Sequence, residues 1–471
     1  MLRRGGPRAG ISSTLALASL VGAGCGPSDG LSPRAAPTIF TAAVAANAHN
    51  VLSLVVTAEV ENADSVLVQY GRVGEPLDSS TAAVRPDADN VSVPALGLLP
   101  ETSYELRLVA HGSRGAAERD LGAFVTGSLP ADLPAYSASG SDPSPGYVVF
   151  AAGRYGLAID NGGRVVWYHA FPSGPGLNFQ PQPNGRYAAR PLPPDPATLA
   201  RWVEIDPLGN ETRTFGCARG LQARFHDMIA NPDGDYWLMC DETRAMDLSA
   251  FGGSEQAAVT GTVVQHLSAG GGLLFEWSAF DHFAITDLEP AARTGTEVNW
   301  THGNALDLDA DGNLLVSFRS LNEVTKIDVM TGSVLWRMGG LRNGFTFLDS
   351  PTPAFARQHG VRVTGAGQLT LLDNSGDAAA TRAERYTYDA GAGTARLVAS
   401  YGPADAVTAR LGGTTQALPG GRTLVAFGDG RRVQEYDAAG DVVWEIGGDP
   451  GYVFRAERIG SLYHPGVDPT G

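Results

Sequence analysis

The sequence predicts an all-β protein built from more than one domain. Its 471 residues include 60 glycines and 30 prolines, a high content of turn-forming residues. Apolar and polar residues alternate over many short stretches, and no long segment has the apolar period of 3.6 residues that is typical of a helix. One core seldom supports a chain of this length, so we expect at least two domains.

The net charge and the apolar content of the sequence restrict the classes of partner that the protein can bind. The formal net charge is −16, which argues against nucleic acid or an anionic membrane surface as a binding partner. After the N-terminal segment, no apolar run is long enough to cross a bilayer.

The first 25 residues have the pattern of a signal peptide. Three arginines precede an apolar run over residues 11–21, and a small-residue site ends at Cys25. This pattern resembles a bacterial lipoprotein signal, in which the cysteine becomes the lipidated first residue of the mature chain. Ordinary secretion is the alternative. We therefore expect a cell-envelope protein, either periplasmic or an outer-membrane-anchored lipoprotein, or a secreted one. Residues 26–36 are predicted to be a flexible tether.

Residues 37–127 are predicted to form a small β-sandwich, because short alternating runs recur throughout this segment. The run from Leu98 to Tyr104 resembles the Leu-x-Pro-x-Thr-x-Tyr signature of fibronectin type III domains, where the tyrosine hydroxyl ties a corner of the sandwich to the backbone. Residues 128–145 have the composition of a linker.

Repeats dominate residues 146–471. The pattern Asp-x-x-Gly-x-apolar-apolar-Trp begins at Asp160 and Asp437, and a version one residue longer begins at Asp328. A glycine-closed turn before an apolar strand also recurs, at Gly185, Gly234, Gly312, Gly367 and Gly421. With an opening unit at residues 147–171 these make six units of propeller-blade length, so we predict a six-bladed β-propeller.

A polar cluster accompanies one of these turns, in residues 298–319. The segment is predicted to be a β-hairpin whose turn centres between Ala310 and Asp311. That register places His302 opposite Arg319 and Asn304 opposite Ser317, with all four on one face. Such N–H donors can bind a tetrahedral oxyanion, whereas a solvent-exposed polar ladder is the plainer interpretation.

The repeat extends this observation to neighbouring blades. Eight residues before the turn glycines of three consecutive blades lie His226, Asn304 and His359. The innermost strand of each blade lines the central channel, so these three residues and His302 are predicted to share the channel. Each histidine alone could equally be a packed channel residue.

Four segments carry a family resemblance: RFHDM, WTHGNALDLDADGNLLVSFR, FARQHG and FRAERIGSLY. They resemble the bacterial arylsulfate sulfotransferases, periplasmic six-bladed propellers with an N-terminal β-sandwich. The resemblance implies nucleotide-independent, ping-pong transfer of a sulfuryl group from an aryl sulfate to a phenolic acceptor through a sulfohistidine. From the matching motifs, the resemblance implies that His359 is the sulfurylated residue. It also implies four further site residues: His226, His302, Asn304 and Arg319.

Residue chemistry suits this reaction. A neutral imidazole is a competent nucleophile near pH 7, so His359 is assigned that role. Arg319, His302 and Asn304 are assigned to hold the sulfuryl oxygens, and His226 to exchange a proton with the phenol. No cofactor and no metal are expected.

Two alternatives remain open at this stage. Three channel histidines could instead hold zinc, iron or copper in a hydrolase or lactonase, although Arg319 would repel a cation. A non-enzymatic surface binding module is also compatible with a sandwich followed by a propeller. Cys217 and Cys240 are the remaining cysteines, and they are either a disulfide pair, as an oxidising compartment favours, or two buried thiols.

Overall fold

The fold is described from a computed structural model. It describes residues 35–172, 176–193, 195, 198–349, 354–375 and 380–466. The signal-like segment with Cys25 and most of the tether lie outside the described residues, so these assignments stay predictions. Within the described ranges, no helix combines the length and the apolar character needed to cross a membrane.

The N-terminal part folds into two packed β-sheets. Its strands are β1 (Thr38–Ala46), β2 (Leu54–Glu61), β3 (Ser65–Arg72), β4 (Ser79–Ser80), β5 (Asn90–Ala95), β6 (Ser103–Gly112) and β7 (Gly115–Val125). One sheet has the order β1-β2-β5 and the other β4-β3-β6-β7. Val56, Val68 and Leu108 are among the buried residues that join the two sheets in one core. The backbone N–H of Leu99 donates to Tyr104 Oη at 2.9 Å. The resemblance of this part to fibronectin type III domains stays a prediction.

The rest of the chain is also almost entirely strand. The strands are β8 (Ala138–Gly140), β9 (Tyr147–Ala152), β10 (Tyr155–Ile159), β11 (Val165–Ala170), β12 (Phe179–Pro181), β13 (Tyr187–Ala189), β14 (Trp202–Ile205), β15 (Glu211–Phe215), β16 (Gln222–Ala230), β17 (Tyr236–Met246), β18 (Ala257–Leu267), β19 (Leu273–Ser278), β20 (Glu297–Asn299), β21 (Gly303–Leu308), β22 (Leu314–Phe318), β23 (Glu323–Ile327), β24 (Val334–Gly339), β25 (Thr346–Leu348), β26 (His359–Gly365), β27 (Gln368–Asp373), β28 (Arg382–Asp389), β29 (Thr394–Tyr401), β30 (Thr414–Leu418), β31 (Arg422–Ala426), β32 (Val433–Tyr436), β33 (Val442–Ile446) and β34 (Ala456–Ile459). One short helix, α1 (Ala279–His282), and single 3-10 turns at Ala218–Gly220, Ser249–Phe251, Ile285–Asp287, Pro290–Arg293, Arg319–Leu321 and Pro419–Gly421 complete the described elements.

These strands form six sheets in the described part of the chain, here called blades 1 to 6, each with four antiparallel strands. From the inner to the outer strand they are β34-β9-β10-β11, β12 to β15, β16 to β19, β21 to β24, β26 to β29 and β30 to β33. In addition, β20 and β25 add a parallel fifth strand to blades 3 and 5. Most inner strands contact the inner strands of both neighbouring blades. Hydrogen bonds from Asn178 and Gln180 to backbone oxygens of β16 connect blades 2 and 3. The result is a β-propeller, which agrees with the predicted fold class.

The predicted repeat residues occupy equivalent places in the blades. All five turn glycines adopt a left-handed φ, which suits glycine because it has no Cβ, and each joins the first strand of a blade to the second. The three tryptophans of the other repeat, Trp167, Trp336 and Trp444, lie on the fourth strand of their blades. Trp167 and Trp444 are completely buried, and burying so large a side chain contributes about 3 kcal/mol relative to leaving it exposed.

Two parts of the chain differ from the sequence prediction. The opening unit at residues 147–171 supplies three strands of blade 1, and its inner strand is β34 from the C-terminal end. This pairing closes the ring. The predicted linker contains β8, which adds to the outer edge of blade 6 by pairing with β33.

Candidate active site

The five candidate residues lie on or next to the first two strands of blades 3, 4 and 5. His226 is within β16, Asn304 is the second residue of β21, and His359 is the first residue of β26. His302 immediately precedes β21, and Arg319 immediately follows β22. The strands of adjacent blades start at the same mouth of the channel, so the repeat brings residues far apart in sequence to one level.

The local backbone explains which predicted pairings are right. The Arg319 N–H donates to the His302 carbonyl at 3.0 Å, so the pairing of these two residues agrees with the prediction. The predicted pairing of Asn304 with Ser317 is wrong, because the register shifts between Gly303 and Ala305 and places Ala305 opposite Ser317. Such a bulge redirects the extra residue.

The bulge turns Asn304 towards blade 5. Its Nδ2 donates to the Gln358 carbonyl at 2.7 Å, directly before His359. Its Oδ1 is buried and has no hydrogen-bond partner among the described residues. One of its two N–H groups is therefore engaged by backbone, and the second remains for another acceptor.

The three imidazoles form a cluster. His226 Nε2 lies 3.3 Å from His302 Nε2, and the ring of His226 lies 6.4 Å from that of His359, centroid to centroid. Arg319 is close enough for its charge to affect all three rings. The structure thus brings together the three histidines and the arginine, while Asn304 contacts the peptide that precedes His359.

Burial keeps these imidazoles neutral at pH 7. Burial lowers the pKa of His226 well below its usual value, and the neighbouring Arg224 lowers it further. The pKa of His302 is also lowered, by burial first and then by Arg224 and Arg319. Burial lowers the pKa of His359 to about 4, although a hydrogen bond to Asn374 acts in the opposite direction. Neutral imidazoles beside a guanidinium favour an anionic ligand.

Hydrogen-bond partners that the sequence analysis missed orient each ring. Asn374 Oδ1 lies 2.8 Å from His359 Nδ1, and the amide of Asn299 lies 2.6 Å from His302 Nδ1. Arg224 Nε lies 3.4 Å from His226 Nδ1, and an Nη of the same side chain is paired with Asp241.

Only one of these partners had a sequence signal. Arg224 lies two positions before His226, and residues at that spacing share a strand face. Asn374 and Asn299 lie outside the glycine-turn repeat, so no spacing rule pointed to them.

A buried ion-pair network supports the cluster. Arg455 donates to the carbonyl of His226 at 3.2 Å and to Asn178 Oδ1 at 3.1 Å. It also pairs with Asp227, which pairs in turn with Arg362. The carboxylate of Asp227 is therefore paired with two arginines. Among the described residues, no group of three His, Cys, Asp or Glu side chains is arranged to hold a metal ion.

Aromatic side chains form a wall next to the imidazoles. The ring of Phe225 stacks on His226 with centroids 4.1 Å apart. Phe454 packs edge-on, 5.8 Å from His226 and 5.6 Å from Phe225. The site thus has an apolar aromatic side next to a cationic, hydrogen-bonding side.

A disulfide lies close to this strand in sequence. Cys217 and Cys240 are bonded, and their Cα atoms lie 6.2 Å apart. Cys240 pairs with Ala223 across β16 and β17, one residue before Arg224. The bond therefore anchors the segment that leads into the histidine-bearing strand.

Comparison with solved structures finds distant similarity. A protein of unknown function from Bacteroides caccae has 14% sequence identity and a TM-score of 0.41, with 66% of this chain and 98% of that chain covered. A streptogramin B lyase has 14% identity and a TM-score of 0.38, with 67% and 84% covered. An inactive virginiamycin B lyase from Staphylococcus aureus has 11% identity and a TM-score of 0.37, with 66% and 88% covered. No curated protein matches the sequence.

A family comparison is more informative. Residues 219–449 match the model described as arylsulfotransferase (ASST). The matched range contains all five candidate residues together with Arg224, Asn299 and Asn374. This region, just under half of the chain, therefore belongs to the arylsulfotransferase family.

Proposed function

We propose that this protein transfers a sulfuryl group from an aryl sulfate to a phenolic acceptor, without a nucleotide, through a sulfohistidine at His359. The family match supports aryl sulfotransferase activity in general. The observation that carries the finer proposal is the grouping of three neutral imidazoles, those of His226 and His359 buried and that of His302 half-buried, with Arg319 at the inner strands of blades 3 to 5. This grouping offers a nucleophile and oxyanion donors in one place.

The nucleophilic role of His359 is supported by its tautomer. Asn374 Nδ2 donates to the carbonyls of Ala409 at 3.0 Å and Gly412 at 3.2 Å, so its Oδ1 faces His359 as an acceptor. His359 Nδ1 must then carry the hydrogen. Its Nε2 keeps the free electron pair, which is the requirement for attack on sulfur.

The reaction divides into two half-reactions at this nitrogen. In the first, the electron pair of His359 Nε2 forms an N–S bond while the S–O bond to the aryl group breaks, and the aryl oxygen leaves with that electron pair as the phenolate, which takes its proton from solvent. In the second, the acceptor phenol loses its proton to solvent, and its oxygen forms an S–O bond while the N–S bond breaks and returns its electron pair to Nε2. Each sulfuryl group therefore passes through the histidine once.

Arg319 is proposed to hold the sulfuryl oxygens together with Asn304. His302, which was expected to share this role, is proposed to position His226, because both of its ring nitrogens are already engaged. Sulfuryl transfer, like phosphoryl transfer, has a loose transition state with charge on the peripheral oxygens, so positioned cationic donors dominate catalysis. The Arg319 side chain donates to the Arg410 carbonyl from Nη2 at 3.1 Å, which leaves further N–H groups for a ligand. Asn304 contributes its second N–H.

His226 was expected to exchange a proton with the phenol, but a neutral imidazole does not release its N–H proton to a phenolate, so His226 is proposed instead to donate a hydrogen bond to the phenol oxygen. Arginine can only donate hydrogen bonds, so the contact with Arg224 Nε assigns His226 Nδ1 as the acceptor. The hydrogen of His226 is then on Nε2, directed towards His302 Nε2. His302 Nε2 must then accept this hydrogen bond, which places the hydrogen of His302 on Nδ1. The amide of Asn299 can present its oxygen to Nδ1 as the acceptor.

The donor and acceptor rings are proposed to bind in turn against Phe225 and Phe454. Aromatic pairs favour stacked or edge-on contacts, and both arrangements are available beside His226. One aromatic subsite serving both half-reactions agrees with a ping-pong reaction.

A cell-envelope location is also proposed. The signal-like residues 1–25 and the Cys217–Cys240 disulfide support it, because structural disulfides are typical of oxidising compartments. Labelling cells with a fatty-acid analogue tests lipidation of Cys25, with Cys25→Ser as the control. Cytosolic recovery of the unprocessed chain would contradict this location.

The proposed activity is tested by following p-nitrophenolate release from p-nitrophenyl sulfate, with and without phenol and with a chelator. Release that depends on phenol and resists chelation is expected, and His359→Asn should abolish it. His111→Asn changes an exposed histidine of the sandwich and should retain it. Release only after metal addition would indicate a hydrolase, and failure to turn over any donor would indicate a binding module.

A further inference from the structure

A small pocket adjoins Arg319, which with Asn304 is proposed to hold the sulfuryl oxygens; these two residues are here called the sulfuryl clamp. Its volume is about 120 Å³. It lies between the segment before β20 and the ends of strands in blades 4 and 5. Its polar lining consists of Glu289, Asn299, Arg319, Ser320, Asn322 and Arg357. A space of this size has room for a small polar group.

Two positive charges lie side by side in this pocket. Neither Arg319 nor Arg357 forms an ion pair with a carboxylate in the described ranges. The guanidinium of Arg357 lowers the pKa of Arg319, after burial, which shows that the two cations repel each other, whereas Asp429 partly offsets this effect. An anion between them would relieve the repulsion.

The remaining lining residues also suit an anion. Asn299, Ser320 and Asn322 offer side-chain N–H or O–H donors. Glu289 is the one carboxylate among the lining residues that the structure describes, and it is exposed. The pocket lining therefore carries two positive charges, from Arg319 and Arg357, and one negative charge, from Glu289.

The pocket is directly connected to the histidine cluster through shared side chains. Arg319 lines the pocket and acts electrostatically on His359, and Asn299 lines the pocket and contacts His302 at 2.6 Å. A group in the pocket and a sulfuryl group at His359 could therefore contact the same guanidinium.

We infer that this pocket is an anion subsite, and that the substrates include phenolic rings carrying a second anionic group such as a carboxylate. The inference rests on the proposed sulfuryl transfer, because that reaction defines where the ring binds. Arg357 supplies the charge that is specific to the subsite, and Arg319 is shared with the clamp. Arginine suits this role because its planar fork of donors matches a carboxylate.

The test compares two acceptors of nearly equal shape, 4-hydroxyphenylacetate and 4-hydroxyphenylacetamide, with p-nitrophenyl sulfate as the donor. The carboxylate acceptor should have a kcat/KM about tenfold higher than that of the amide, as a charge-assisted hydrogen bond implies. Arg357→Gln should bring this ratio close to one. Glu289→Gln should raise it, because the opposing charge is removed.

Arg410→Gln is the matched control, because it removes an exposed positive charge near Arg319 that does not line the pocket. It should leave the ratio as in the wild type. A wild-type ratio near one, a ratio that survives Arg357→Gln, or an equal loss in the control would overturn the inference.

A binding measurement separates this inference from the transfer reaction. Isothermal calorimetry should show tighter binding of 4-hydroxyphenylacetate than of the amide, and Arg357→Gln should remove the difference. If no phenol accepts sulfuryl groups, the proposed function fails, and calorimetry alone decides whether the pocket binds anions. Inorganic phosphate binding as tightly as the phenolic acid would assign the pocket to a free anion and overturn the substrate role.

Discussion

Arg319→Ala should impair catalysis far more than it impairs folding. The Arg319 side chain donates to the Arg410 carbonyl in the described part of the chain, and losing that hydrogen bond costs about 1 kcal/mol of stability. In the transition state the same guanidinium faces developing charge on the sulfuryl oxygens. By analogy with a lost oxyanion donor, the barrier should rise by about 3 to 4 kcal/mol, a fall of about 10² to 10³ in kcat.

The same substitution should change the pH profile of kcat/KM. Arg319 helps to lower the pKa of His359, whose neutral form is the nucleophile. Removing the positive charge raises this pKa, so activity on the acid side should begin to fall at a higher pH than in the wild type. Initial rates with p-nitrophenyl sulfate from pH 4 to 8 measure both effects, and thermal unfolding monitors the fold.

Two controls accompany the measurement. Arg319→Lys keeps the charge but loses the planar fork, so its kcat should lie between those of the wild type and the alanine variant. Arg114→Ala removes an exposed arginine from the turn between β6 and β7 and should behave as the wild type. Undiminished kcat in Arg319→Ala, or an unshifted acid limb, would refute the proposed clamp.

Three further predictions follow from the described contacts. Wild-type kcat/KM should hold as the pH falls below 7 and decline only towards pH 4, because burial lowers the pKa of His359 to about 4; a decline centred at pH 6.5 would contradict this. Asn374→Ala should reduce kcat by about tenfold to a hundredfold, the cost of leaving the buried Nδ1–H without an acceptor, and an unchanged single-turnover rate would contradict the assigned tautomer. Replacing Cys217 and Cys240 by serine should lower the free energy of unfolding by about 3 kcal/mol in urea titrations, and unaltered stability would show that the disulfide is dispensable.

Much of the propeller could be predicted because its turns repeat. Glycines such as Gly234, Gly312 and Gly367 are required where φ is positive, so their spacing reported the first hairpin of successive blades. Counting back from them located His226 and His359 on inner strands, because strand residues rise by a constant distance. The ring closure by β34 had no such local signal, since it joins segments about 300 residues apart.

The details of the site depended on irregular backbone. The bulge at Gly303 to Ala305 shifted Asn304 out of its predicted pairing, and alternation along a strand cannot anticipate a bulge. Asn374 reaches His359 from the end of the next strand, a contact fixed by tertiary packing alone. Arg224 could have been predicted, because it shares a strand face with His226.

The central claim is that the sulfuryl group is carried by His359, and trapping this intermediate tests it most directly. The enzyme is mixed with excess p-nitrophenyl sulfate in the absence of an acceptor, and the phenolate burst is followed before the quenched protein is digested for mass spectrometry. The account predicts a burst of about one phenolate per active site and one added sulfuryl group on the peptide containing His359. A label on another residue, or release of phenolate with no label and no burst, would contradict it.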